Sequence, residues 1–77
     1  MNLEIVAGKW KQFRGKLKSR WGELTDDELE SIQGDLEQLA GLLQTRYGYA
    51  KERAEAEAKE ALTELEIQDA AASRHPT

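Results

Sequence analysis

Apolar residues recur along this chain at steps of three and four. Between residues 3 and 21 the stripe runs Leu3, Val6, Trp10, Phe13, Leu17 and Trp21, the spacing that lines one face of an α-helix. Gly8 interrupts it and predicts a short lead-in turn followed by a main helix over about residues 9–21. Gly22 stands where that helix ends, as a C′ residue suited to a left-handed conformation. Leu24-Thr25-Asp26-Asp27-Glu28-Leu29 is a start signal. Thr25 is the N-cap, Glu28 closes a capping box, Asp26 and Asp27 face the positive end of the helix dipole, and Leu24 and Leu29 occupy the hydrophobic-staple positions. The second stripe is Leu29, Ile32, Leu36, Leu39, Leu43 and Tyr47. It crosses Gly34 in phase, so one helix over 26–47 is compatible with it. Gly34-Asp35 as stop and restart favours two, over about 26–33 and 35–47. Gly48 ends the second of these.

The last helix is predicted from about Tyr49 to Ile67, in a run of strong helix formers. Its buried stripe reads Ala50, Ala54, Ala58 or Ala61, Leu62 and Leu65. Alanine allows helices to approach closely but contributes little apolar area. Past Ile67 the pattern stops, so residues 1–68 form the single domain and residues 69–77 are expected to be a disordered tail.

The two stripes are related. Residues 3–22 and 29–48 align with an offset of 26, giving eight identities in twenty positions: Leu3/Leu29, Glu4/Glu30, Gly8/Gly34, Gln12/Gln38, Gly15/Gly41, Leu17/Leu43, Arg20/Arg46 and Gly22/Gly48. Such self-similarity points to a duplicated helical unit. Gly15 and Gly41 fall mid-helix, either as tolerated surface glycines or as points where another backbone comes close. The fold class expected is all-α, a small bundle of two packed α-hairpins with four main helices and approximate internal duplication.

Seventy-seven residues without cysteine allow one small domain with neither a disulfide nor a cysteine-based zinc site. No signal peptide and no apolar run of about 20 residues is visible, so a soluble, cytoplasmic protein is expected. The net charge of −4 is unevenly placed. Residues 1–22 carry Lys9, Lys11, Arg14, Lys16, Lys18 and Arg20 against Glu4 alone, while residues 23–77 hold five basic and fourteen acidic residues. Either the basic helix packs beside acidic helices of its own chain, or it meets an anionic partner.

The candidate chemistry is sparse. His75, the only histidine, lies in the tail and is a poor general base. Asp26, Asp27 and Glu28 are accounted for by capping rather than by a metal, and GKWKQFRGK lacks the ending of a phosphate loop. No catalytic, cofactor-binding or metal-binding residues are assigned. The basic amphipathic helix is the best candidate. With Trp10 at 0° and about 100° per residue, Phe13, Leu17 and Trp21 lie within about 60° of it. Lys11 and Lys18 border one flank and Lys9, Lys16 and Arg20 the other. These five are the candidate contact to an anionic surface, nucleic acid or membrane. The large apolar side chains between them are needed for the core and cannot also insert into a bilayer. Trp21-Gly22 and Tyr47-Gly48-Tyr49 are either aromatic platforms or, more simply, equivalent packing residues where each unit turns back.

The stretches Gly8-Lys9-Trp10-Lys11-Gln12-Phe13-Arg14-Gly15-Lys16, Trp21-Gly22-Glu23-Leu24-Thr25-Asp26-Asp27, Ile32-Gln33-Gly34, Gln38-Leu39-Ala40-Gly41 and Gln44-Thr45-Arg46-Tyr47-Gly48-Tyr49 closely resemble the CsbD-like family of bacterial general stress proteins over about residues 1–58. The resemblance implies a small cytoplasmic helical protein of two packed hairpins, abundant under stress, with no enzymatic activity or binding residues to carry over. The alanine-rich last helix and the ending RHPT depart from the pattern. Two function classes follow. One is a non-enzymatic stress protein that binds an anionic or protein partner, self-association included. The other is a hydrophilin-like, partly disordered protein that shields proteins or membranes, in line with high charge and low hydrophobicity.

Overall fold

The structure, a computed structural model, describes residues 3–73, with side chains for residues 6–71. The described residues form five helices: α1 (Leu3–Gly8), α2 (Trp10–Arg20), α3 (Asp26–Ile32), α4 (Leu36–Tyr47) and α5 (Lys51–Ser73). The fold is all-α among them. The lead-in turn, the main basic helix and the break at Gly34-Asp35 all stand where the sequence pattern puts them. Leu3 belongs to α1, and its side chain lies outside the described residues, as do the tail residues 74–77 with His75.

Each boundary has a local cause. Lys9 leaves helical geometry at φ −114° and ψ 20°, and no side chain caps α2. The ladder resumes as Gln12 and Phe13 donate to the Lys9 carbonyl at 3.0 and 3.1 Å. At the start of α3 the capping box is complete. Thr25 Oγ1 accepts from Glu28 N at 3.1 Å, and Glu28 Oε1 accepts from Thr25 N at 3.1 Å. Leu24 and Leu29 are both buried, as a hydrophobic staple requires. α3 stops because Gln33 and Gly34 turn left-handed, at φ 47° and 83°. Asp35 restarts the chain by accepting from Gln38 N at 3.1 Å. Gly48, at φ 69°, ends α4 by donating to the Gln44 carbonyl at 3.0 Å.

Gly22 departs from expectation. Among the described glycines only Gly34 and Gly48 have positive φ. α2 ends instead at Trp21, in extended geometry (φ −127°, ψ 85°). Its N–H donates to Leu17 O at 2.8 Å, and Leu24 N then donates to Trp21 O at 3.1 Å. The extended residue swings the indole inward and buries it, so the turn needs no glycine conformation at residue 22.

The apolar stripes meet in one core. Val6, Trp10, Phe13, Leu17, Leu29, Leu39, Leu43 and Leu62 are at most 2 % exposed. α4 packs most extensively on α5, α2 lies on α3, and α1 touches both α2 and α5. The seam on α5 is Ala54, Ala58, Ala61, Leu62 and Leu65. Ala50 is exposed and precedes α5, offering only its carbonyl to Ala54 N, so it drops out of the predicted stripe.

The molecule measures 44 × 24 × 20 Å. The long dimension reflects α5, whose 23 residues span about 35 Å at 1.5 Å per residue. This helix runs through Ser73, six residues past Ile67. A tail beginning at residue 69 is therefore corrected for residues 69–73. They extend a helix already nucleated on the core, and adding a residue to a formed helix is far easier than starting one.

Candidate functional site

The cations of α2 project from a scaffold that the core holds still. Trp10, Phe13 and Leu17 anchor the inner face. The Trp10 indole donates to the carbonyl of Leu29 in the last turn of α3, where carbonyls lack partners within their own helix. With the aromatic face committed to the core, the lysines and arginines form two rows, one on each side.

The first row faces α5. Lys9 Nζ lies 2.7 Å from Asp69 Oδ2. Lys16 Nζ donates to Gln68 Oε1 at 3.5 Å. Arg20 reaches Glu64 Oε2 at 3.0 Å and Glu60 Oε1 at 3.9 Å, with its guanidinium 5.2 Å from the centre of the Trp21 ring. The second row faces α3. Lys18 Nζ is 3.1 Å from Asp26 Oδ1, and Arg14 pairs with Glu30. Lys11 has no ion-pair partner among the described residues and is exposed. Of the five candidate residues, Lys9, Lys18 and Arg20 are thus ion-paired within the chain, Lys16 faces an amide, and Lys11 is open.

The partners on α5 were not singled out from sequence, although a signal was there. Glu60, Glu64 and Gln68 stand four apart and so share a helix face. What could not be read was that this face meets the α2 row. Arg14 was missed as well. At about 40° from Trp10 it sits at the margin of the apolar face, which brings it within reach of α3.

A separate polar lock holds α3 to α4. Glu28 accepts from Arg46 Nε at 3.0 Å and also closes the capping box on Thr25. The hydrogen bonds from Arg46, then the Thr25 N–H, hold the Glu28 carboxyl below the ordinary carboxylate range. Arg46 is raised in turn, first by its hydrogen bonds to Glu28. The Gln38 backbone N–H, then its side-chain amide, lowers the Asp35 carboxyl. These are capping and clasping roles.

The acidic trio at the start of α3 is divided among neighbours: Asp26 takes Lys18 and Glu28 takes Thr25 and Arg46. Among the described residues no group of three or more potential ligands converges on a metal position, and no polar or charged side chain is buried. No helix among them is long and apolar enough to cross a membrane. Tyr47 and the turn that follows α2 do come together. Tyr47 Oη accepts from Glu23 N at 3.1 Å, next to Trp21-Gly22, and Tyr47 lies 5.6 Å from the ring of Tyr49.

Comparison with known proteins agrees with the residues that carry the resemblance. A family model described as CsbD-like matches residues 4–56. A UPF0337 protein of Bordetella pertussis (strain Tohama I) is 62% identical over 60 residues, covering 78% of this chain and 91% of that protein. A UPF0337 protein of Pseudomonas aeruginosa (strain PAO1) is 55% identical over 60 residues, covering 78% and 92%. The UPF0337 protein YjbJ of Escherichia coli (strain K12) is 53% identical over 57 residues, covering 74% and 83%. On a family match across most of its length and relatives above half identity, this chain belongs to the CsbD-like family.

Proposed function

We propose that this chain is a non-enzymatic general stress protein of the cytoplasm that acts by reversible binding. Its contact surface is the cation-bearing flanks of α2, and its partner is an anionic surface or another protein, a second copy included. Family membership supports the stress role. The observation that carries the binding mode is the division of α2 into a wholly committed apolar face and flanking rows of cations. Such a helix presents fixed charge without presenting a reacting group. Its surface pairs are individually weak, about 0–1 kcal/mol each, so an external anion can compete for them. We also take the two units to descend from one. α2 and α4 begin 26 residues apart, at Trp10 and Leu36. Ser19 and Thr45 make the same hydrogen bond, back to Gly15 O and Gly41 O.

The test is capture from stressed cells, with a salt titration of what is recovered. The expected result is a partner released by moderate salt and lost in a Lys9/Lys11/Lys16/Lys18/Arg20→Gln variant. Undiminished capture by that variant overturns the contact surface. A hydrophilin-like shield is the second reading, drawn from a charged content of 34% and a mean hydropathy of −0.75. It requires a loosely ordered chain. Cooperative thermal unfolding, with buried tryptophan emission at rest, counts against it.

A further inference from the structure

The two rows of α2 are paired by different helices. The second row meets α3, which pairs Arg14 and Lys18 and leaves Lys11 open. The first row meets α5: Arg20 pairs with Glu60 and Glu64 and Lys9 with Asp69, while Lys16 between them meets the neutral amide of Gln68. Residue numbers rise along α5 as they fall along this flank, so the contacts form an antiparallel zipper of long side chains rather than a close packing of the two helices. It runs from Lys9, the residue before α2, to Arg20 at its end, and α2 itself is about 16 Å long at 1.5 Å per residue. The acidic half lies beyond residues 4–56, the stretch the family model matches.

The zipper is not what holds α5 in place. Ala54, Ala58, Ala61, Leu62 and Leu65 bury the inner face of that helix. The Glu60 and Glu64 side chains are 68% and 52% exposed. These carboxylates can turn away, or be neutralised, without moving the helix. A row of cations with carboxylates set against both of its ends resembles a polyanion site already holding a substitute.

We infer that the acidic row of α5 (Glu60, Glu64, Asp69) is a built-in mask over a phosphate-binding row on α2 (Lys9, Lys16, Arg20), and that the masked ligand is the phosphate backbone of nucleic acid. The inference rests on the proposed binding role of α2 and adds its partner and its regulation. A nucleic-acid backbone fits better than a membrane because α2 offers no free apolar face, and the one large apolar side chain exposed among the described residues, Ile67 on α5, stands alone. Trp10, Phe13, Leu17 and Trp21 are all buried, so α2 has no apolar stripe to lay among acyl chains, and a single isoleucine does not make one. Three cations at helical spacing can instead follow successive phosphates.

The experiment compares the intact chain with an E60Q/E64Q/D69N variant, using a short labelled duplex DNA at rising salt. A control variant, E37Q/E52Q/E55Q, changes net charge equally but away from the row. The expected result is a gain of at least about tenfold in affinity at 50 mM salt for the unmasked variant. Its salt slope steepens by about 2–3, because each phosphate contact adds about 0.9 to the slope. The control gains far less, and adding K9Q/K16Q/R20Q to the unmasked variant abolishes the gain. A single E64Q variant, which leaves most of the zipper intact, gives a smaller gain of the same sign. Circular dichroism confirms that each variant is folded.

Equal gains in the unmasked and control variants overturn the mask, because they reflect net charge alone. Equal binding by the intact and unmasked chains overturns the mask but leaves the binding role of α2 standing. A gain on anionic vesicles without one on DNA overturns the assigned partner. Binding by none of the proteins, at low salt and to either probe, overturns the mask and the α2 reading together.

Discussion

Single residues in this fold are constrained chiefly by backbone geometry and by capping. At Gly34 a Cβ would stand 3.2 Å from Val6 Cγ1 and 3.3 Å from Ala7 N, on a backbone already at φ 83°. Gly34→Ala is therefore expected to cost about 1–2 kcal/mol in a denaturant titration, from the left-handed backbone alone. Gly22→Ala meets open space at ordinary φ and should stay within about 0.5 kcal/mol of the parent. Gly15 and Gly41 also face open space. Replacing both with alanine should raise stability by up to about 1 kcal/mol each, since among the described residues nothing lies within 4 Å of a Cβ added at either. Equal glycine spacing in the sequence thus conceals unequal roles. Spacing records where a glycine stands, whereas φ depends on how the chain continues from it.

Glu28 sets the acid response. Its carboxyl and that of Asp35 are held below the ordinary range by hydrogen bonds made only in the folded chain. The stability they contribute is present above the unfolded-state values and lost as pH falls through the folded ones. Melting temperature should hold from neutrality to about pH 5 and decline below about pH 4. Glu28→Gln should lower it at neutral pH and flatten the acid limb. An unchanged acid limb in that variant would show that other carboxyl groups dominate.

Among the elements, α5 differs most from what its composition suggests. Its helical propensity is plain in the sequence, but its buried face carries mainly alanine. Ala54 and Ala58 are fully buried, so the backbones of α4 and α5 lie close and leave no room for larger side chains. Ala58→Leu should destabilise by about 1–3 kcal/mol through overpacking. Ala56→Leu, on the exposed face of the same helix, should be near neutral. Comparable effects at the two sites would mean that α4 and α5 are not in close contact. The helix boundaries were largely legible, because Thr25, Asp35 and Gly48 act on their immediate neighbours. The end of α5 was not. Residues 69–73 lack an apolar pattern of their own, and Asp69 finds its partner 60 positions away at Lys9.

For the whole molecule, stability depends on a small core. A chain of 77 residues is expected to hold about 4–12 kcal/mol in total. Leu43 is fully buried in α4. Leu43→Ala should cost about 2–5 kcal/mol, enough to leave a substantial unfolded fraction near physiological temperature. Denaturant unfolding followed by tryptophan emission reads this directly, since Trp10 and Trp21 are 2 % and 4 % exposed. A loss under 1 kcal/mol would mean that the core relaxes around the gap.

Local chemistry was enough to set the helix starts, the apolar stripes and the capping box at Thr25. Each depends on residues within a turn or two of one another, so composition and spacing specify them. The same reading placed Lys11 and Lys18 on one flank of α2 and Lys9, Lys16 and Arg20 on the other. It could not say what covers the flank of Lys9, Lys16 and Arg20. That depends on Glu60, Glu64 and Asp69, which lie 40 to 60 residues further along the chain and reach the row only after α5 has packed on the core. Charge along a helix follows from the sequence, whereas its neutralisation depends on which helices become neighbours.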